Sequence, residues 1–115
     1  MKSNALKENR DFRRLYNRGK SKTAPCIVTY ALKSRRGETR VGITSSKKIG
    51  GAVERNRARR VIRAAFSQLE NRVEGNWDLV FVARTRTTCV KMQQVLADME
   101  KELLELGVIS NEKSA

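Results

Sequence analysis

The chain has no histidine, and the residues that usually carry catalysis or bind metals are sparse. Its 115 residues include two cysteines, Cys26 and Cys89, and 12 scattered acidic residues. Histidine is the commonest general base, zinc sites need clustered cysteine or histidine, and two-metal nuclease sites need clustered carboxylates. The sequence therefore predicts no catalytic residues and no protein-bound metal. We expect both cysteines to be buried, reduced thiols.

Long apolar runs are also missing. No stretch approaches the roughly 20 apolar residues that a membrane-spanning helix needs, and Met1–Arg14 has no apolar segment of the kind found in signal peptides. The missing apolar segments predict a cytoplasmic protein with no membrane partner.

A nucleotide-binding loop is missing as well, because the Gly50–Gly51 pair lacks the spacing of a phosphate-binding or dinucleotide-binding loop.

Basic residues are abundant, and they are unevenly distributed. Lysine and arginine total 25, which gives a net charge of +13. Residues 1–89 contain 22 basic and 7 acidic residues, whereas residues 90–115 contain 3 and 5. So strong a positive field repels itself and favours an anionic partner, and the first three-quarters of the chain should supply the binding surface. With a membrane excluded, nucleic acid is the expected partner.

The apolar periodicity predicts three helices and three strands in a single domain, residues 1–115, with residues 1–4 and 110–115 disordered. The predicted elements are a helix over 9–16, strands over 26–32 and 40–44 joined as a hairpin, a helix over 53–72, a strand over 77–83, and a last helix capped by Thr87 or Thr88 and ended by Gly107. This order predicts an α/β (α+β) two-layer sandwich, in which helices pack on a small mixed sheet and the basic helix forms a crossover.

The two longer helices each show a buried stripe. In the first it runs through Ala58, Ile62 and Phe66, and in the second through Val95, Met99 and Leu103. The outer face of the last helix is expected to carry its acidic residues: Asp98, Glu100, Glu102 and Glu105.

A second, polar stripe lies opposite the apolar one on the basic helix. Asn56, Arg59, Arg60 and Arg63 recur at helical spacing, Arg55 and Arg57 flank them, and Lys47 and Lys48 lie just upstream. A solvated helix face usually mixes charges of both signs, since opposite charges four residues apart stabilise a helix. Glu54 is the one acidic residue in this region. The pattern therefore favours an anion-binding face over a merely solvated one.

The few aromatic residues fall into two groups. Phe66, Phe81 and Trp77 lie on apolar stripes and are expected in the core. Phe12, Tyr16 and Tyr30 instead lie in the basic part of the chain, and Phe12 and Tyr16 share one helix face. Aromatic rings beside arginines hold unpaired bases. The pattern equally allows that these three rings pin the first helix to the sheet.

Read as one string, SKKIGGAVERNRARRVIR from Ser46 to Arg63 resembles the signature of the bacterial ribonuclease P protein component. Shorter features agree in order: Asp11-Phe12 followed by Tyr16, the glycine at 19, Arg40-Val41-Gly42, and Ala83-Arg84. The resemblance covers about residues 5 to 106. Gly51 departs from the pattern, because many members have asparagine there, and this puts one loop contact in doubt.

The resemblance implies a subunit of a ribonucleoprotein endonuclease that removes the 5′ leader from precursor transfer RNA. In that family a large RNA is the catalyst, and Mg²⁺ held mainly by RNA activates the attacking water. The resemblance implies that the catalytic RNA is contacted by Arg55, Asn56, Arg57, Arg60 and Arg63. The charge pattern adds Lys47, Lys48 and Arg59 to this expected surface. The implied contacts to the leader are Phe12, Tyr16 and Tyr30.

Three other interpretations compete with this one. A ribosomal-type structural protein that binds ribosomal RNA has the same size, charge and fold class, but not the ordered signature. A DNA-binding regulator is disfavoured, because no helix-turn-helix spacing or zipper heptad is present, and no DNA partner is expected. A protein-only nuclease is disfavoured by the missing histidine and the scattered acidic residues.

Overall fold

The computed structural model describes residues 3–110, which form five strands and three longer helices. The elements are β1 Asn4–Ala5, α1 Asn9–Arg18, β2 Lys20–Thr23, β3 Ile27–Lys33, β4 Arg40–Thr44, α2 Ala52–Leu69, β5 Trp77–Ala83 and α3 Met92–Glu105. Single 3₁₀ turns lie at Lys47–Ile49, Glu70–Arg72 and Thr85–Thr88. The predicted α/β class is confirmed.

The strands form one mixed sheet in the order β1-β4-β5-β3-β2. β4 and β5 are parallel neighbours joined through α2, as the predicted crossover requires. The predicted hairpin of β3 and β4 is wrong, because β5 lies between them and pairs with both. The side chains of β5 are mostly apolar on both faces, as is typical of a strand in the middle of a sheet that is covered on both sides.

Two edge strands were not predicted. β1 has two residues and pairs in parallel with β4. β2 has the sequence KSKT, is exposed along its whole length, and pairs antiparallel with β3. Neither carries an apolar alternation, so backbone pairing with a neighbour is what makes each a strand.

The main core lies between the sheet and the pair α2 and α3. Ile62 and Phe66 of α2 and Met99 of α3 are fully buried there. The ring centroids of Phe66 and Phe81 are 5.3 Å apart. The predicted stripes are confirmed, and α3 ends before Gly107, whose φ of 78° suits glycine.

α1 covers part of the opposite face of the sheet. Leu15 is buried against Val80 of β5, and Leu6 completes this smaller cluster. The sheet therefore has helices on both faces, and the two-layer prediction omitted this partial third layer. The physical reason is that β3 and β5 present apolar side chains on both sides.

Several expectations about single side chains are wrong. Glu102 is not on the outer face but 2% exposed, and its Oε1 accepts a hydrogen bond from Thr29 Oγ1 at 2.8 Å. Neither Thr87 nor Thr88 caps α3, whose N-cap residue is Lys91. The Thr87 hydroxyl instead accepts the Arg84 N–H and donates to the Cys26 carbonyl. Cys26 is buried as expected, but Cys89 is exposed; both are free thiols.

Three of the terminal residues expected to be disordered have defined contacts. Ser3 donates from its N–H to Glu70 at 2.6 Å, Asn4 begins β1, and the Ser110 carbonyl accepts from Arg72. Residues 1, 2 and 111–115, to which the same expectation applied, lie outside the described residues.

Candidate nucleic-acid interface

The basic stripe of α2 faces solvent. Asn56, Arg57, Arg59, Arg60 and Arg63 are exposed and Arg55 is half-buried. The opposite side of the helix buries its apolar residues in the main core. A shallow groove of about 420 Å³ runs along the stripe, and its lining is Val53, Asn56, Arg59, Arg60 and Arg63. The helix thus separates a buried apolar face from a concave cationic one.

The positive charge of this stripe is not neutralised within the described residues. None of the ion pairs found in residues 3–110 involves an arginine of α2. Arg59 has a neutral partner, since its Nε donates to Ser45 Oγ at 3.0 Å. An anion is therefore the natural partner of the stripe.

Lys47 and Lys48 lie on the 3₁₀ turn immediately before α2. Both are exposed, whereas Ile49 of the same turn is buried and anchors it to the core. Gly51 occupies the N-cap position of α2 and makes no side-chain cap hydrogen bond. An asparagine there would supply the usual capping oxygen, so the departure at Gly51 leaves that helix end without a side-chain cap.

An aromatic cleft lies on the other face of the sheet, beside α1. Tyr16 and Tyr30 pack edge to face with centroids 4.9 Å apart, and Phe12 lies 6.5 Å from Tyr16. Tyr16 is 41% exposed, unusual for a large apolar side chain in this protein. The concavity beside these rings is lined by Asn9, Phe12, Arg13, Tyr16 and Thr44. The cleft thus offers ring surface together with an arginine.

Gly42 of β4 sets how closely Phe12 approaches the sheet. A methyl group placed on Gly42 would lie 2.6 Å from Cζ of Phe12 and 2.7 Å from its Cε1. Any side chain at Gly42 would therefore push the ring away. The absence of a side chain in the middle of this strand is what allows the ring to approach it so closely.

A buried ionic network fixes α1 to the sheet. The Arg40 guanidinium donates to both carboxylate oxygens of Asp78 at 3.0 Å and to Asp11 of α1 at 3.3 Å. All three residues are at most 8% exposed. The hydrogen bonds that Arg40 donates to Asp78 raise the pKa of Arg40, so the guanidinium stays charged. Because Asp11 precedes Phe12, this network positions the cleft.

The two surfaces meet at the carboxyl end of β4. Thr44 lines the aromatic cleft, and the next residue, Ser45, accepts the hydrogen bond from Arg59 of α2. The sequence grouped the basic and aromatic residues correctly but gave no distance between the groups. The fold places them on different faces that share one edge.

Sequence reasoning missed four residues that line these surfaces. Asn9 and Arg13 complete the cleft, and their spacing with Phe12 and Tyr16 at i, i+3, i+4 and i+7 could have identified them. Val53, which is 73% exposed, lines the α2 groove at its N-terminal end. It lies three residues before Asn56 and seven before Arg60, so all three share one face of the helix. Thr44 had no sequence signal, since it joins the cleft only through the sheet.

Residues 3–110 contain no group of three or more His, Cys, Asp or Glu side chains placed to hold a metal ion. Within the same residues, no helix has the length and apolar character needed to cross a membrane.

Comparison with known proteins gives a consistent match along nearly the whole chain. The family model described as Ribonuclease P matches residues 1–107. The chain belongs to the ribonuclease P protein family. It is 36% identical over 107 residues to the ribonuclease P protein component of Clostridium botulinum strain Langeland, covering 92% of this chain and 93% of the relative. It is 40% identical over 84 residues to that of Clostridioides difficile strain 630, covering 72% and 74%.

Solved structures of the ribonuclease P protein agree with the fold. The Staphylococcus aureus RNase P protein superposes with a TM-score of 0.82 at 30% identity, covering 95% of this chain and all of that one. The Thermotoga maritima RNase P protein, at 24% identity, shares the fold with a TM-score of 0.73. As a ribonuclease P protein, the chain is the protein subunit of an endoribonuclease whose RNA carries the catalysis. This family assignment replaces the ribosomal-protein alternative.

Proposed function

We propose that this subunit binds the catalytic RNA through the α2 stripe and the 5′ leader of precursor transfer RNA through the aromatic cleft, and so assists removal of the leader. One observation carries the proposal: a cationic groove and an aromatic cleft lie on different faces and meet at Thr44 and Ser45. A chain with both surfaces can hold a folded RNA and an unpaired strand at once.

The α2 stripe suits the phosphates of a folded RNA. Its side chains are exposed arginines on a rigid helix, and the planar guanidinium fork binds phosphate oxygens in pairs. Lys47 and Lys48 extend the positive surface beyond the helix start. RNA helices are recognised mainly by shape and backbone contacts, which this rigid stripe can make.

The cleft suits unpaired nucleotides. Stacking on aromatic rings is sequence-tolerant, because every base has a π face. Tyr16 is exposed while it packs against Tyr30, so the cleft offers a fixed ring at its surface. Arg13 on the rim is placed to meet the phosphate backbone of a strand lying in the cleft.

We assign the Mg²⁺ of the reaction to the RNA. When bound, Mg²⁺ would activate the attacking water, and the donor set of residues 3–110 does not fit a protein-held ion of this kind. The role of this chain is to bind and orient the two RNAs. The two free thiols suit a reducing compartment, which supports a cytoplasmic location.

The proposal is tested by replacing Arg60 with alanine and measuring affinity for the catalytic RNA over a range of salt concentrations. We expect weaker binding, and a plot of log affinity against log salt that is flatter by roughly one unit of slope for each lost phosphate contact. Melting temperature should hardly change, because Arg60 is exposed and alanine favours a helix.

Arg36→Ala is the matched control, since Arg36 is an exposed arginine in the turn between β3 and β4, far along the chain from α2. It should leave the salt dependence nearly unchanged. Equal losses for Arg36→Ala and Arg60→Ala would show that only net charge matters and would refute the α2 assignment.

A further inference from the structure

Tyr16 and Val53 are the exposed large apolar side chains of residues 3–110, with 41% and 73% exposure. Tyr16 lines the aromatic cleft, and Val53 lines the α2 groove at its N-terminal end. A single exposed valine ordinarily needs no explanation. Here, however, each of these side chains lies in one of the two candidate RNA surfaces, so the ligand of each surface should offer an apolar face.

The folding of α2 does not require a valine at position 53. Val53 is the second residue of the helix, and the residues that α2 buries begin only at Ala58. Valine is a poorer helix former than alanine or lysine, because its branched side chain loses rotamer freedom in a helix. Since most of its surface faces solvent, Val53 also adds little to the core. A contact with a ligand explains this side chain better than folding does.

Asn56, one turn after Val53, also differs from the arginines around it. It is exposed, and its amide offers both donors and an acceptor. Phosphate oxygens only accept hydrogen bonds, so the acceptor oxygen of an amide adds nothing to phosphate binding. The edge of a base presents donors and acceptors together, and asparagine pairs with such an edge. The neutral part of the α2 groove therefore suits a base.

The rest of the α2 groove suits the phosphates on either side of that base. Its remaining lining is Arg59, Arg60 and Arg63, and none of them forms an ion pair within residues 3–110. Side chains of a helix tilt toward its N-terminus, which here is the end that carries Val53. The groove volume of about 420 Å³ is in the usual range for a site that holds one small ligand.

The chemistry of the groove indicates which kind of RNA structure binds there. Inside an RNA helix the base faces are stacked on one another, so an apolar side chain reaches a base face only in a loop, a bulge or an end. We propose that the α2 groove binds an unpaired base of the catalytic RNA that is turned out of its stack. The base face packs on Val53, Asn56 hydrogen-bonds its pairing edge, and the neighbouring phosphates bind Arg60 and Arg63.

This inference rests on the proposed function, because it takes the catalytic RNA as the ligand of α2. It adds the class of RNA structure that the helix recognises, a loop or bulge in place of an uninterrupted duplex. It also adds Val53, an uncharged side chain, to a surface otherwise assigned by charge.

The test measures the affinity of the full chain for the catalytic RNA over a range of salt concentrations. Val53→Ala should weaken binding about tenfold, the scale expected when two methyl groups lose an apolar contact. Val53→Thr keeps the shape of the side chain and replaces one methyl by a hydroxyl, so it should weaken binding about fivefold. Neither variant should change the slope of log affinity against log salt, because neither loses a phosphate contact.

Gln68→Ala is the matched control. Gln68 is an exposed, neutral residue of the same helix, about 22 Å from Val53 at the helical rise per residue. It should alter neither the affinity nor the slope. Melting temperatures of both Val53 variants should stay close to that of the wild type, because the side chain is exposed.

Chemical probing of the catalytic RNA gives an independent readout. Dimethyl sulfate modifies the pairing edge of unpaired adenine and cytosine, and a carbodiimide does the same for guanine and uracil. The wild-type protein should protect an unpaired base from one of these reagents. At saturating protein, Val53→Ala and Asn56→Ala should each restore reactivity at that same base.

Three results would overturn the inference. The first is normal affinity in both Val53 variants. The second is weaker binding with a flatter salt slope, which would show that Val53 only positions the arginines. The third is a protection pattern that neither Val53→Ala nor Asn56→Ala changes.

Failure of this inference and failure of the proposed function give different results. If Arg60→Ala weakens binding of the catalytic RNA while both Val53 variants bind normally, α2 remains the RNA-binding helix and the base contact is refuted. If Arg60→Ala also binds normally, the proposed function fails at α2.

Discussion

Glu102 shows how one buried carboxyl makes the stability of this protein depend on pH. Its side chain faces Thr29 across the core, and its Oε2 has no hydrogen-bond partner within the described residues. Burial raises the pKa of Glu102 to about 8, and the nearby charge of Asp98 adds to the effect. The folded protein therefore holds a proton that the unfolded chain releases near pH 4.5.

The expected result is that Glu102 lowers stability as the pH rises from about 4.5 to about 8, by at most about 1.4 kcal/mol per pH unit, with no further change above that window. Glu102→Gln cannot release a proton, so its melting temperature relative to the wild type should increase across the same window. Thermal melts at several pH values measure this difference. The control is Glu74→Gln, at an exposed position. A constant difference across the window would show that Glu102 is charged in the folded protein.

The sequence could not place Glu102, although it placed the residues around it. The apolar stripe of α3 fixed which side of the helix is buried, and Met99 and Leu103 lie on it. Glu102 borders that stripe, and a charged residue at its border is ordinarily exposed. Thr29, its partner, comes from a distant strand, so nothing local in the sequence indicated the contact.

At the scale of elements, the position of α1 depends on Asp11. Removing its carboxylate in Asp11→Ala leaves Arg40 with its paired contact to Asp78, so the protein should still fold. The loss should be about 1–3 kcal/mol of unfolding free energy, the usual range for a lost buried hydrogen bond. Because α1 carries Phe12 and Tyr16, precursor affinity should fall while affinity for the catalytic RNA stays nearly constant.

Denaturant unfolding and RNA binding measure the two parts of this prediction. Asn17→Ala, at an exposed position of the same helix, is the matched control and should change neither. An Asp11→Ala protein that is destabilised but binds the precursor normally would show that the network has no influence on the cleft.

Elements with strong apolar periodicity were predictable, and elements made by backbone pairing were not. α2 and α3 were found because their stripes repeat over several turns. β1 and β2 were not predicted, because β1 has only two residues and β2 is exposed along its whole length. The central place of β5 was also missed, since proximity in sequence favoured a hairpin of β3 and β4. That order is decided by which strand can be buried on both faces.

At the scale of the whole molecule, the fold has two separate surfaces, to which we assign separate RNAs as a proposal. The sheet lies between α1 on one side and α2 with α3 on the other. The aromatic side chains of the cleft and the arginines of α2 therefore cannot form a single surface. Their residues were predictable from type and spacing, together with the resemblance. Their separation was not, because it depends on which face of the sheet each helix covers. The central claim is that the two surfaces act independently.

Phe12 offers the most direct test of that claim. Phe12→Ala removes a ring of the cleft, and Phe12→Leu removes the aromatic face while keeping apolar packing over Gly42. The measurement is the affinity of each variant for precursor transfer RNA, for mature transfer RNA without a leader, and for the catalytic RNA, with melting temperature recorded beside them. If the surfaces act independently, both variants should lose about 1–3 kcal/mol in precursor binding, nearly independent of leader sequence, with the other two affinities almost unchanged. An equal loss for precursor and mature transfer RNA in Phe12→Leu, accompanied by a lowered melting temperature, would contradict it and show that Phe12 only pins α1 to the sheet.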